Sequence, residues 1–295
     1  MTRRFLRKLV LELNRFEHVL IVTDLDGTLL DSNKNVGEKT KSAVDYFISQ
    51  GGNFTFATGR LVASFESARK KLRWNAPVVF ANGCQIYDYS TEKMLWECCI
   101  PDEYRPGLQK VLDSFPGTCL EVYRHLHCDM IRINEISRIH ASKFGFGFET
   151  PEDIFGVSGG MTKVLFTNEH SVLERIRDVI ESEMPGLKVR FSNDVFLEVF
   201  SSATDKGCGT LRLAEMLGVS RKDIYTAGDQ ENDLDLLGAA AIAFAPENAV
   251  PRVRRAADVI LADNDSDTIA ALIGHLCRIY PDAGGKKAPP QFDIK

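Results

Sequence analysis

Two aspartates, Asp24 and Asp26, stand directly behind an apolar run in IVTDLDGTLLD, residues 21–31. In an extended strand residues i and i+2 point to the same side, so both carboxylates are expected together at the mouth of a buried strand. That is where open parallel sheets bind their ligands. Adjacent carboxylates repel, and one takes up a proton unless a cation sits between them. A hard divalent ion with oxygen ligands suits that position. Aspartates closing a turn through local hydrogen bonds would give the same letters, and this stretch alone leaves both readings open.

A second stretch, DIYTAGDQENDLDLL (residues 223–237), repeats the arrangement with Gly228, Asp229, Glu231, Asn232 and Asp233. Acidic residues at a helix N-terminus complement the dipole, which accounts for some of these carboxylates. Two acidic strand ends in one sheet, however, concentrate negative charge in one crevice, which is costly without a metal. Two further stretches supply other groups. ATGR (57–60) ends a strand on Thr58, followed by Gly59 and Arg60. ATDKGCG (203–209) puts Lys206 in the first turn of a helix, where the dipole disfavours a cation and a nearby anion would offset the penalty.

The elements that position these residues alternate between short apolar runs and amphipathic segments, the pattern of an α/β protein with a mainly parallel sheet. HVLIVTD reads as a first strand and residues 37–50 as a helix with Val44, Phe47 and Ile48 on one face. NFTFAT and PVVFAN read as strands, with a helix over LVASFESARKKL between them. From about residue 84 the texture changes: QIYDYSTEKMLWECCI suggests a hairpin, EYRPGLQKVLDSF a helix, and CLEVYRHLHCDMIRI antiparallel strands. FGFGF, Pro151 and FGVSGG mark loops; TKVLFTN, HSVLERIRDVIESE and LKVRFSN read as strand, helix and strand. The parallel pattern then resumes with VFLEVF, the helix from Lys206, DIYTAGD and IAFA, and closes with the helix SDTIAALIGHLCRI.

Taken in order, DLDGTLLD, ATGR, the lysine of DKG and GDQENDLDLL resemble the four motifs of the haloacid dehalogenase superfamily of phosphotransferases. NGC (82–84) and ENAVPRVRRAADVIL are similar to the Cof-type subfamily, although Cys84 stands where alanine is more usual. The resemblance runs from about residue 18 to 280. It implies a Rossmann-like parallel-sheet core over 18–84 and 193–280, with an α+β cap of type IIB inserted over 85–192. Outside it lie an extension over 1–17, read as helical, and a tail over 281–295, read as disordered.

The same resemblance implies a Mg²⁺-dependent phosphatase acting on small phosphomonoesters, sugar phosphates or related metabolites. Asp24 would be the nucleophile, forming an aspartyl-phosphate, and Asp26 the general acid and base. Lys206 would add positive charge, with Leu25, Gly27, Thr58, Gly59 and Asn232 contacting phosphate or substrate. Mg²⁺ would be held by Asp24, the main-chain carbonyl of Asp26 and Asp229, with Asp233 acting through bound water or hydrogen bonds to the ligands. The inserted cap would exclude water and select the leaving group. A phosphomutase of the phosphomannomutase type would share these residues. A non-catalytic phospho-ligand sensor would not need the full set Asp24, Asp26, Lys206 and Asp229.

Bulk properties exclude several other classes. The net charge of −5 argues against non-specific nucleic-acid binding. Seven cysteines without a CxxC pair read as reduced thiols of a cytoplasmic protein. The longest small-apolar run, AAAIAFA at 239–245, is too short to span a bilayer. Arg3, Arg4, Arg7 and Lys8 begin a basic amphipathic segment whose expected role is packing on the domain rather than stable membrane insertion. His125, His127 and Cys128 lack the second ligand cluster a zinc site needs. FGVSGG reads as a flexible loop rather than a phosphate nest, and neither nucleotide-binding glycine fingerprint occurs. A monomer and a dimer are equally compatible with the sequence.

Overall fold

The computed structural model describes residues 14–62, 65, 69–144 and 147–280. The basic segment over 1–13, the tail over 281–295 and part of the helix expected over 61–72 lie outside the described residues. In chain order the elements begin with β1 (Leu20–Thr23), α1 (Glu38–Ser49), β2 (Asn53–Phe56), β3 (Val78–Phe80), β4 (Gln85–Asp88) and β5 (Lys93–Glu97). Then come α2 (Arg105–Ser114), β6 (Cys119–Arg124), β7 (His127–Ile131), α3 (Glu135–Phe144), β8 (Lys163–Thr167), α4 (His170–Glu183), β9 (Leu187–Asn193) and β10 (Phe196–Ser201). The chain continues through α5 (Lys206–Leu217), β11 (Ile224–Ala227), α6 (Leu234–Gly238), β12 (Ile242–Pro246), α7 (Pro251–Ala256), β13 (Val259–Leu261) and α8 (Thr268–Ile279).

These elements form two compact units. Among the described residues, the first comprises 14–58, 69–79 and 206–280; the second comprises 59–62, 65, 80–144 and 147–205. In the first unit the strand order is β13-β12-β11-β1-β2, and every pairing is parallel. A parallel bridge between Ala57 and Val79 sets β3 beside the end of β2. All four residues of β1 are buried, as expected of a central strand covered by helices on both faces. Helix α1 buries Ala43, Val44, Phe47 and Ile48, and α8 buries Ile269, Leu272, Ile273 and Leu276; these two helices pack against each other. Helix α5 ends at Gly218, whose φ of +68° is the left-handed conformation that glycine adopts without strain.

The second unit is built on an antiparallel sheet in the order β7-β6-β8-β10-β9. Alternation sorts its side chains. Leu120, Val122, Val164, Phe166, Leu197 and Val199 pack with Leu108 and Leu112 of α2 and Leu173, Ile176 and Ile180 of α4. The intervening positions carry Cys119, Tyr123 and Leu165, which cluster with Ala141 of α3. They also carry Glu121, Lys163 and Glu198, all buried.

Two differences from the sequence-based expectation have physical causes. VFLEVF does not resume the parallel pattern: it is β10, antiparallel to both β8 and β9. A central strand with both faces covered shows the same continuous apolar run whichever way its neighbours point. Helix α3 answers to no expected element: its buried positions include Ser137 and Ala141, while Ile139 is exposed, so no apolar stripe marks it. The loop FGVSGG is tied to α2, since the Arg105 guanidinium donates to the carbonyls of Ile154, Val157 and Gly159. Cys84, Cys119 and Cys128 are buried, Cys208 is exposed, and none of the seven cysteines is in a disulfide. Among the described residues no helix is long and apolar enough to cross a membrane.

The buried polar face of the antiparallel sheet has a measurable energetic consequence. Lys163 Nζ donates to Glu198 Oε1 at 3.0 Å and to the Gly59 carbonyl at 3.2 Å, while Asn82 Nδ2 donates to Glu198 Oε2 at 2.5 Å. Removing one partner of a buried pair strands the other's charge. Lys163→Met should therefore cost about 3 kcal/mol in urea unfolding; a loss below about 1 kcal/mol would show that the pair is effectively solvated.

Candidate active site

The site grows out of the parallel register of the first unit. Thr23 at the end of β1 pairs with Ala227 at the end of β11, so the residues that follow each strand emerge side by side. Asp24 N–H still donates to the Ala227 carbonyl at 2.8 Å, which fixes the backbone under the first aspartate. Lys206, the first residue of α5, reaches between the two strand ends. Its Nζ donates to Asp24 Oδ1 and to Asp233 Oδ1, each at 2.6 Å, and its side chain is 1% exposed.

Asp229 and Asp233 have different duties. Asp233 Oδ2 accepts the main-chain N–H groups of Asp229 and Gln230, each at 3.0 Å. With Lys206 on its other oxygen, this carboxylate is fully engaged in holding the turn over Glu231–Asp233. Asp229 Oδ1 accepts the Thr28 hydroxyl at 2.7 Å. Its Oδ2 lies only 2.5 Å from where a Cβ on Gly27 would be, and Gly27 has φ +90°. No other residue type fits there. Carboxylate oxygens of Asp24, Asp229 and Asp233 all lie within 4.8 Å of one another, the one such group of metal-ligating residues among the described residues.

Three carboxylates sharing one ammonium leave the cluster short of positive charge. Burial pushes the Asp24 carboxyl up to about 8; Lys206 opposes the rise, while Asp233 and Asp229 add to it. Burial likewise pushes Asp229 up to about 6, against the Thr28 hydrogen bond. For Lys206, burial works against the charge, but Asp233 and Asp24 outweigh it and hold the ammonium protonated above its usual range. A buried all-oxygen donor set with surplus negative charge fits a hard divalent cation such as Mg²⁺, and the residues present accommodate one.

The other expected residues divide. Leu25 is buried beside Asp24, Thr58 is buried at the end of β2, and Asn232 is half-buried in the turn before Asp233. Asp26 lies beyond the end of β1, two residues after Asp24. The strand stops at Thr23, the chain turns through Gly27, and the Asp26 carboxylate accepts from Lys34 Nζ at 3.0 Å. Gly59 belongs to the second unit, where its carbonyl accepts from Lys163. His125, His127 and Cys128 do not form a ligand cluster: the Cys128 thiol donates to the Asp129 carbonyl and His125 lies near Glu97. Sequence reasoning missed Thr28 as a partner of Asp229, although it stands inside the quoted DGT. It also missed Asn248, whose Nδ2 donates to the Gly27 carbonyl at 2.9 Å.

This fold and this cluster define a class. The sequence pattern of the haloacid dehalogenase-like hydrolases matches residues 21–273, and the chain belongs to that family. The stress response protein YhaX of Bacillus subtilis is 26% identical over 282 residues, covering 90% of this chain and 95% of that protein. An HMP-PP phosphatase of Klebsiella pneumoniae is 25% identical over 241 residues, covering 80% and 86%. Among solved structures, a haloacid dehalogenase-like hydrolase from Bacteroides thetaiotaomicron matches with a TM-score of 0.76 at 24% identity, covering 88% of this chain and 99% of that one. The subclass IIB sugar phosphatase BT4131 matches with a TM-score of 0.74 at 20% identity, covering 87% and 98%. The fold is thus the α/β core with an inserted α+β unit of subclass IIB.

Charge in the cluster links pH to stability. Asp24 and Asp229 bind protons more tightly folded than unfolded, so their contribution is complete below about pH 4 and is lost as pH rises through about 6 and then about 8. The thermal midpoint of chelator-treated protein should fall between about pH 5 and about pH 8, and fall less in Asp24→Asn. A midpoint that is flat or rises across that window in the parent protein excludes raised carboxyls.

Proposed function

We propose that this chain is a Mg²⁺-dependent phosphatase that hydrolyses small phosphomonoesters, sugar phosphates or related metabolites, through an aspartyl-phosphate on Asp24. The carrying observation is the buried cluster itself: Asp24 and Asp229, held beside a lysine that cannot neutralise them, at the carboxyl edge of a parallel sheet. Relatives named as phosphatases support turnover rather than sensing.

Asp24, Asp229 and the main-chain carbonyl of Asp26 would hold the ion, and Asp233 acts on it only indirectly because both its oxygens are already engaged. When bound, Mg²⁺ offsets the repulsion between the Asp24 anion and the phosphoryl group, a demand that dominates phosphoryl transfer. An Asp24 oxygen attacks phosphorus, forming an acyl phosphate as the bond to the leaving alkoxide breaks. Asp26 gives its proton to that alkoxide, then takes one from the water that attacks the aspartyl-phosphate, releasing phosphate and regenerating Asp24. Lys206 keeps the Asp24 carboxylate aimed and adds positive charge. The Thr58 hydroxyl and the main-chain amides of Leu25 and Gly27 donate to phosphoryl oxygens, and Asn232 holds substrate or neighbouring site residues. Gly27 also leaves room for Asp229.

Purified protein should release phosphate from p-nitrophenyl phosphate and from several sugar phosphates. Asp24→Asn should lower kcat at least about 1,000-fold; activity retained in that variant would remove the nucleophile from the scheme. Free phosphate, rather than interconverted isomers, separates this reading from a phosphomutase. EDTA should abolish turnover, with recovery by Mg²⁺ and not by Ca²⁺, whose larger and looser coordination shell spoils in-line geometry. Equal rates with the two ions would overturn the metal's role.

A further inference from the structure

Residues far along the chain brace the loop that follows the nucleophile. Asn248 Nδ2 donates to the Gly27 carbonyl at 2.9 Å, and Asn264 Nδ2 donates to the Leu30 carbonyl at 2.8 Å. The two asparagines are themselves linked, since Asn264 N–H donates to Asn248 Oδ1 at 2.9 Å. One residue further on, Asp265 accepts the Ser32 N–H at 2.7 Å and the Ser32 hydroxyl at 2.9 Å. The same segment also grips the other half of the acidic cluster, because Val250 N–H donates to the Asp229 carbonyl at 2.9 Å.

We propose that Asn248 and Asn264 are positioning residues, a cross-brace that sets the nucleophile loop at a fixed distance from Asp229; the inference rests on the phosphatase reading of this site. Asn248 is exposed and Asn264 half-buried, so water could satisfy the Gly27 and Leu30 carbonyls almost as well, and the hydrogen bonds add little stability. What an asparagine supplies and water does not is direction. Its amide donor is committed to Gly27 and its carbonyl to Asn264, which fixes the side chain at both ends. Two residues along the same backbone, Val250 holds Asp229. Segment 248–250 therefore spans the Gly27 side and the Asp229 side of the cluster, whose close approach leaves only 2.5 Å between Asp229 Oδ2 and a Cβ on Gly27. Displacement of reacting groups by about 1 Å can cost about 100-fold in rate, so small slack in this brace has a large kinetic effect.

Asn248→Ala, Asn264→Ala and the double variant test the brace in the full chain, with p-nitrophenyl phosphate as substrate and saturating Mg²⁺. Each single substitution should lower kcat about 10- to 100-fold, with KM changed less than about twofold. Thermal midpoints should stay within about 3 °C of the parent. Hydrogen–deuterium exchange should quicken in the peptide covering residues 25–32, where Leu30 N–H donates to the Leu25 carbonyl, and not elsewhere in the first unit. Asn264→Ala removes only the tether to Leu30, because the main-chain N–H of residue 264 still donates to Asn248 Oδ1, so the double variant should lose at least as much as Asn248→Ala. Asn248→Asp, which keeps the acceptor for Asn264 and removes the donor to Gly27, should behave like the alanine variant. A kcat within about twofold of the parent overturns the proposal, as does a loss accompanied by faster exchange throughout the first unit. Should the parent protein hydrolyse no phosphoester, the functional reading fails, while the exchange pattern alone still decides the brace.

Discussion

The ammonium group of Lys206, buried between Asp24 and Asp233, is the interaction on which the first unit's chemistry depends. A charge taken out of water persists only if it is paired and hydrogen-bonded. Each partner here is tied to a different element: Asp24 to the end of β1, Asp233 to the turn after β11, and Lys206 to the start of α5. The pairing is therefore also a geometric statement, fixing three elements that are remote in sequence. Among the described residues it leaves Asp229 without an ion pair of its own, and that shortfall is what a divalent ion would meet.

The sheet order makes this convergence possible. Because β1 lies between β11 and β2 in a parallel sheet, their carboxyl ends open on one edge, and every loop leaving that edge can reach the same point. Small residues then decide what fits. Gly27 admits Asp229, and Gly228 admits Asp233, whose Cβ would lie 2.4 Å from a Cβ added there. Gly27 thus sets how closely two carboxylate-bearing loops approach, and Gly228 how tightly the second folds on itself.

The inserted unit follows a different physical plan. Its antiparallel sheet packs one face on α2 and α4 with aliphatic residues, while the other carries a buried polar network. Tyr123 and His140 meet the Glu121 carboxylate there, and Lys163 meets Glu198, with Lys163 Nζ 5.3 Å from the centre of the Tyr123 ring. Such a face is expensive to bury unless each group finds a partner, and these groups find one another.

Much of this was legible in the sequence, and the boundary of legibility has a cause. Strand–helix alternation, the acidic strand ends and Lys206 in a helix's first turn are local patterns, and local backbone physics is enough to read them: burial on both faces for β1, a one-sided stripe for α1, an offset dipole penalty for Lys206. The direction of β10 was not legible, because a doubly covered strand looks the same in parallel and antiparallel company. Nor was the contact of Lys34 with Asp26, which depends on where the strand stops and how Gly27 turns the chain. The partnership of Asn248 with Gly27 crosses 221 positions, and no periodicity encodes it. Residue type and spacing determined which groups this protein could bring to a site; which of them touch was decided only when the parallel sheet closed distances that the chain itself leaves open.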